Sequence, residues 1–287
     1  KILDKITNIR GLDSLRNNFI TYIICNTVMS LNFLIIYKYH KLLKVDSRAF
    51  KESISALECL EANISFATIG FMKKDICTPK ISDKLMIEFK DIKYPLLDEK
   101  ACVSNSFETG EDINIITGSN MSGKTSFMKT IGVNLVLAYN GSYVNAKEFT
   151  CSIMNIFTSI NVKDDISKGI STFYGELLRI KNILDYSKKS TEPIVIFIDE
   201  IFKGTNYNDR IVGAKETLKK LSKIKCIVFL TTHDFELCDI KDKKINNYHF
   251  SENYNKNKIS FDYKIKTGKC KTTNAMYLMK QMNIIDE

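Results

Sequence analysis

The sequence is poor in chain breakers, with three prolines and twelve glycines in 287 residues. That excludes a collagen-like or linker-like chain, in which those two residues dominate. With 44% hydrophobic and 26% charged residues it is not a disordered polypeptide either, because it carries enough apolar surface to offset the entropy of ordering. None of the eight cysteines (25, 59, 77, 102, 151, 226, 238, 270) belongs to a C-x-x-C pair, so no structural zinc site is expected. They sit in apolar stretches as small hydrophobes, and the expected setting is a reducing, cytoplasmic compartment.

Arginine is scarce too: only five of the 42 cations (10, 16, 48, 179, 210). The net charge is still +9, which points toward a polyanion such as DNA. A chain crowded with Lys, Asn and Ile also acquires such charge from AT-rich coding, and composition leaves both readings open. One uncharged run, Asn17 to Tyr37, has the length of a bilayer span. Asn26, Thr27, Ser30 and Asn32 interrupt its middle, while Ile20, Ile23, Ile24, Val28, Leu31, Leu34 and Ile35 recur at helical spacing. A buried helix is therefore expected, with no membrane contact. No small-residue cleavage site follows it, so no signal peptide is expected. The length suits one large domain or two modest ones. Lys1 in place of Met leads us to expect a processed product or a piece of a longer protein.

Residues 1–75 read as helical, with a second run from about Ala49 to Thr68 placing Ile54, Leu57, Leu60 and Ile64 at near-helical intervals. The pattern stops at Cys77-Thr78-Pro79, since Pro removes a donor and disfavours helix in the residue before it. We expect an N-terminal helical arm over 1–77 and a second domain over 78–287. In the latter, strand signals at Leu85–Phe89, Ile113–Thr117, Ile194–Ile198 and Cys226–Thr231 alternate with helical stretches, which predicts an α/β layered domain. Ile259, Phe261, Tyr263 and Ile265 alternate with polar residues as a half-buried strand. Tyr248 and Phe250 are expected in its hairpin partner, with Asn253–Asn257 as the turn.

Gly118-Ser119-Asn120-Met121-Ser122-Gly123-Lys124-Thr125 matches G-x-x-x-x-G-K-[ST] in full, after an apolar strand and before a helix-compatible run. Such a loop turns successive amides toward phosphate oxygens, Lys124 reaches the β- and γ-phosphates, and Thr125 holds Mg²⁺. The apolar run Ile194–Ile198 must be a buried parallel strand, and it ends in Asp199-Glu200. Ligands bind at the carboxyl ends of such strands. Asp199 is the expected Mg²⁺ acid and Glu200 the general base that polarises the attacking water. A third strand runs into Thr231-Thr232-His233-Asp234, and His233 leaves the sheet at the same edge as a candidate γ-phosphate sensor.

These strings also carry a resemblance. Thr117–Thr125, Gly169-Ile-Ser-Thr-Phe-Tyr-Gly-Glu176, Asp199-Glu-Ile-Phe-Lys-Gly-Thr-Asn206 and Thr232-His-Asp-Phe-Glu-Leu237 resemble, in order, the ATPase motifs of the MutS family of DNA mismatch-repair proteins. The resemblance covers about 78–287 as the ATPase domain and, more weakly, 1–77 as the end of a helical core and lever region. It implies an ABC-type P-loop NTPase sheet flanked by helices, ATP and Mg²⁺ as ligands, and a homodimer acting on double-stranded DNA. In that dimer Ser171 and Thr172 of one subunit complete the nucleotide site of the other, and Gly204-Thr205-Asn206 lies at the dimer contact.

The chain departs from the family pattern in several places. The usual Gly-Arg-Gly-Thr-Ser is Phe202-Lys203-Gly204-Thr205-Asn206, and Asp209-Arg210 stands where Asp-Gly is usual, which suggests a divergent branch. Cys102 or Val103 occupies the place of the aromatic that stacks on adenine. Phe-x-Glu, the mismatch-reading tripeptide, occurs at Phe50-Lys51-Glu52 and Phe250-Ser251-Glu252, both read as chance. The expected function is ATP binding and hydrolysis coupled to recognition of mismatches or DNA structure. The alternative is a nucleotide-gated clamp or membrane-associated scaffold without a repair role. A transporter-type cassette is disfavoured, since Leu-Ser-Gly-Gly-Gln does not occur.

Overall fold

A computed structural model describes residues 2–43, 47–160, 172–255 and 258–270, and the chain divides into two compact units, 1–65 and 66–287. The first unit is helical: α1 (Ile2–Ser14), α2 (Phe19–Met29), α3 (Leu31–Leu43) and most of α4 (Ser47–Met72). The uncharged run forms two helices where one buried helix is expected. Ser30 takes a left-handed conformation at φ 49° and ends α2, and the axis bends by 77°. Polar residues in the run act as caps. Asn26 Oδ1 accepts from the Asn32 amide at 3.1 Å, and Asn18 Oδ1 accepts from the amides of Ile20 and Thr21 at 3.1 and 3.3 Å. Splitting the apolar stripe leaves Ile20, Ile23, Ile24 and Val28 exposed, while Leu31 is buried. Among the described residues no single helix is long and apolar enough to cross a membrane, although α2 and α3 together have the length and hydropathy.

The second unit is α/β, with mixed sheets flanked by helices. Its strands are β1 (Lys80–Ile81), β2 (Ile87–Ile92), β3 (Asn105–Thr109), β4 (Ile113–Thr117), β5 (Glu148–Cys151), β6 (Asn155–Ser159), β7 (Ile194–Asp199), β8 (Cys226–Thr232), β9 (Ile245–Asn255) and β10 (Lys258–Thr267). Its helices are α5 (Lys124–Tyr139), α6 (Thr172–Lys189) and α7 (Tyr207–Leu221). Six strands form one sheet in the order β10-β9-β4-β8-β7-β6, and four form another in the order β1-β5-β2-β3. In the larger sheet β9, β4, β8, β7 and β6 run parallel, and β10 pairs antiparallel at the edge. The β9–β10 hairpin forms, but Asn253, Tyr254 and Asn255 of the expected turn pair with β10 as the end of β9, and residues 256–257 lie outside the described residues.

Strands β4 and β8 are buried along their whole length and β7 up to its last residue, which a parallel sheet covered on both faces requires. Alternate side chains serve opposite faces. Ile116, Val195, Phe197, Ile227 and Phe229 share a core with Phe127, Met128, Ile131 and Leu135 of α5. Ile115, Ile196, Ile198, Val228 and Leu230 share another with Ile180 and Ile183 of α6 and Ala214 and Leu218 of α7. Each Ile, Leu, Val, Phe or Met among them contributes about 1.5–3 kcal/mol when fully buried. Together they hold the ends of β4, β7 and β8 in fixed register. All eight cysteines are free, and burial pushes the Cys151 and Cys226 thiols up to about 12 and that of Cys238 up to about 11.

Candidate nucleotide site

Beyond β4 the chain must turn sharply into α5, and glycine makes the turn possible. Gly118 has φ +149°, and a Cβ there would lie 2.8 Å from the Phe250 carbonyl oxygen and 2.9 Å from Ser122 Oγ. Gly123, at φ +107°, caps α5. Met121 is also left-handed, at φ +67°, with its side chain out in solvent. Ser119 Oγ donates to the buried Glu252 carboxylate and ties the loop to β9. Ser122 Oγ is buried in this cradle with no hydrogen-bond partner among the described residues.

Lys124 opens α5 and is only 6% exposed. Its Nζ donates to the carbonyls of Gly118 and Ser119 at 2.7 and 2.8 Å. Burial lowers its pKa, and the Glu200 and Asp199 carboxylates oppose that. Next to it, Thr125 Oγ1 lies 3.0 Å from both Asp199 carboxylate oxygens. Asp199 and Thr231 face each other across the β7–β8 ladder, and Thr231 Oγ1 donates to Asp199 Oδ1 at 2.5 Å.

Glu200 follows with φ +55°, its amide donating to the Thr231 carbonyl at 3.1 Å. Its Oε1 is 3.3 Å from His233 Nε2 and its Oε2 is 2.6 Å from Lys203 Nζ. The hydrogen bond from His233 and, behind it, the Lys203 ammonium hold the Glu200 carboxyl down at about 2, against the opposing effect of burial. Phe202 is left-handed as well, at φ +58°, with its ring buried. Two such non-glycine residues cost on the order of 1–3 kcal/mol each and persist only where their surroundings hold them. The loop carrying His233 is fixed in turn by Arg210, whose Nε and Nη2 fork onto the two Asp234 oxygens at 2.9 and 2.8 Å. This pairing accounts for the arginine at the position where the family pattern has glycine.

The structure thus brings Gly118, Ser119, Asn120, Met121, Ser122, Gly123, Lys124, Thr125, Asp199, Glu200 and His233 to one edge of the larger sheet. Thr172 stands at the start of α6, packed on Gly204 rather than on the loop, and Ser171 lies outside the described residues. A cleft of about 450 Å³ opens beside the loop, lined also by Tyr94, Leu97, Cys102, Val103 and Tyr263. Tyr263 was hidden in the strand alternation. It sits at φ +52° in a register shift of β10 that the Asn105 side chain closes, Nδ2 donating to the Tyr263 carbonyl and Oδ1 accepting from the Ile265 amide, both at 2.9 Å.

Among the described residues no three His, Cys, Asp or Glu side chains converge on a metal position. A hydroxyl and one carboxylate, completed by phosphate oxygens and water, are instead the donor set that suits Mg²⁺. The glycine cradle, the orphaned Ser122 hydroxyl and the buried Lys124 ammonium fit a phosphate group.

A family model described as MutS domain V matches residues 114–286, more than half of the chain. The chain belongs to the MutS family. It is similar to the DNA mismatch repair protein MutS of Aquifex pyrophilus, 31% identical over 224 residues that make up 75% of this chain and 26% of that protein. It is also similar to the DNA mismatch repair protein Msh3 of Homo sapiens, 30% identical over 224 residues, 74% of this chain and 19% of that protein. The MutS-family match therefore spans about a quarter of one relative and a fifth of the other.

Proposed function

We propose that this chain is the ATP-binding and ATP-hydrolysing part of a divergent MutS-like protein of DNA mismatch repair or DNA-structure recognition. In this reading 78–287 is an ABC-type P-loop domain and 1–77 the end of a lever-like helical region, in a cytoplasmic protein. The observation that carries it is the convergence of Lys124, Thr125, Asp199, Glu200 and His233 at the carboxyl edge of one sheet, with Thr125 Oγ1 3.0 Å from both Asp199 oxygens.

The loop amides and Lys124 bind the phosphates of ATP, and Thr125 with Asp199 holds Mg²⁺, which neutralises phosphate charge when bound. Glu200 orients the attacking water and takes its proton, while His233 steadies the carboxylate and senses the γ-phosphate. Tyr263 offers a ring to the base. Ser171 and Thr172 act across a homodimer, where their hydroxyls suit the γ-phosphate held by the other subunit. Double-stranded DNA is met mainly through other parts of the parent protein.

Mixing two inactive variants tests this reading. Lys124→Ala spoils the loop half of a site and Ser171→Arg the opposing half, so a mixed dimer has one site with both defects and one with neither. Hydrolysis returns on mixing if the site is shared, and a mixed dimer as inactive as its parents contradicts the model. In a duplex titration we expect weak binding that falls steeply with salt and shows no mismatch preference. Tighter binding to a mismatched duplex would place a recognition element within this chain.

A further inference from the structure

His233 hangs between two fixed points. On one side Thr232 ends β8, buried and in register with Thr117 of β4. On the other stands the buried Asp234, whose amide donates to Thr232 Oγ1 at 3.0 Å and whose two carboxylate oxygens accept the Arg210 fork at 2.9 and 2.8 Å. Between them the His233 side chain is 40% exposed, and a cleft of about 150 Å³ opens beside it, lined by Glu200, Ile201, Lys203, Arg210, Thr232 and Asp234. The imidazole is therefore aimed by the backbone of 232–234, since close packing does not enclose it.

Arg210 reaches that backbone from the first turn of α7. Asn206 caps the helix, its Oδ1 accepting from the Asp209 amide at 3.0 Å and its Nδ2 donating to Asp209 Oδ2 at 2.5 Å. The Arg210 guanidinium carbon lies 5.5 Å from the centroid of the Tyr207 ring, and the Tyr207 hydroxyl donates to Glu236, two residues beyond Asp234. The start of α7 thus grips the His233 loop at two points. Tyr207 and Glu236 meet in solvent, whereas the Arg210 and Asp234 side chains are only 24% and 10% exposed. Without the guanidinium the Asp234 carboxylate would stay buried with no countercharge. It would turn toward water instead, and the loop would carry His233 with it.

We propose that Arg210 is a positioning residue for hydrolysis: through Asp234 it fixes His233, and through the 3.3 Å contact of His233 Nε2 with Glu200 Oε1 it fixes the aim of Glu200. The inference rests on the reading of Glu200 as the general base. A displacement of the order of 1 Å at a reacting group costs about 10²-fold in rate. Neither Arg210 nor Asp234 lines the cleft beside the phosphate loop, so loss of the fork should act on turnover and spare affinity.

The test uses the full chain, with Mg·ATP affinity and hydrolysis measured separately. Arg210→Ala is expected to lower kcat by about 10–100-fold with ATP affinity unchanged. In a Glu200→Gln background, where the base is already gone, the same substitution is expected to cost less than about 3-fold more, because residues that act as a unit are not additive. Arg210→Lys keeps the charge but not the fork, and should lose about 3–10-fold in the same pattern. It decides the matter by the same comparisons if Arg210→Ala does not fold. A wild-type rate in Arg210→Ala overturns the inference. So does a fall in affinity parallel to the fall in rate, or an equal loss with and without Glu200. A wild-type chain that does not hydrolyse ATP, or a Glu200→Gln variant as fast as wild type, removes the general-base reading and this inference with it. Hydrolysis that survives Arg210→Ala removes this inference alone.

Discussion

Where the phosphate loop bends most tightly against its neighbours it uses glycine, at Gly118 and Gly123, and its one left-handed side chain, Met121, points into solvent. The turn after the acid pair takes the same left-handed backbone at Glu200 and Phe202, with no glycine at either place. The first shape is intrinsic to its residues; the second is imposed by β8 and α6, which carry Thr231 and Phe173. Phosphate binding should therefore tolerate damage in the surrounding elements better than hydrolysis does. On the proposed reading, the binding half and the reacting half of the site should be separable by mutation.

The sharpest way to break this contrast is Phe202→Gly. Glycine relieves the strain at φ +58° but removes a buried ring that touches Phe173 and lies against Gly213. We expect a net loss of about 2–4 kcal/mol in denaturant melts, with hydrolysis falling more than ATP affinity. A more stable Phe202→Gly variant would show that the turn holds itself. Lys124→Ala, on the binding side, should weaken ATP affinity by about 1.5–3 kcal/mol in equilibrium titration, as expected for hydrogen bonds from a charged group.

Gly118→Ala follows, at about 1–3 kcal/mol of stability, because the new Cβ meets the Phe250 carbonyl at a backbone angle that disfavours side chains. Gly141→Ala is the control: its φ is +72° but nothing lies within 4 Å, so it reports backbone strain alone. The smallest effect sharpens the electrostatics. The Glu200 carboxyl is depressed from 4.5 to about 2, so the stability it contributes is complete above the ordinary carboxylate value and is lost as pH falls toward 2. Lys203→Ala removes one of its partners, leaving His233. The acid limb of hydrolysis should move to higher pH while stability changes by less than about 0.5 kcal/mol, since the Lys203 side chain is 72% exposed.

Much of the larger sheet is legible in the sequence, for one physical reason. Strands β4, β7 and β8 are buried on both faces, so each is a continuous apolar run, and the polar residues that end each run mark the edge where ligands bind. Strands β3 and β5 are not legible, since Asn-Ser-Phe-Glu-Thr and Glu-Phe-Thr-Cys have only a short alternation of buried and exposed residues. Ser30 reads as one polar residue within a single helix and is the break between two. Tyr263 looked like any half-buried strand residue, because the shift that turns it toward the loop is closed by Asn105, far away in the chain. Arg210 showed only as a departure until Asp234 supplied its partner.

If, as proposed, this chain binds Mg·ATP through the loop and hydrolyses it with Glu200, the decisive variant is Glu200→Gln, with affinity and turnover measured on the same preparation. Its ATP affinity should stay close to wild type and its hydrolysis fall by about 10²–10⁴-fold, the usual contribution of a positioned general base. Hydrolysis at the wild-type rate would contradict it.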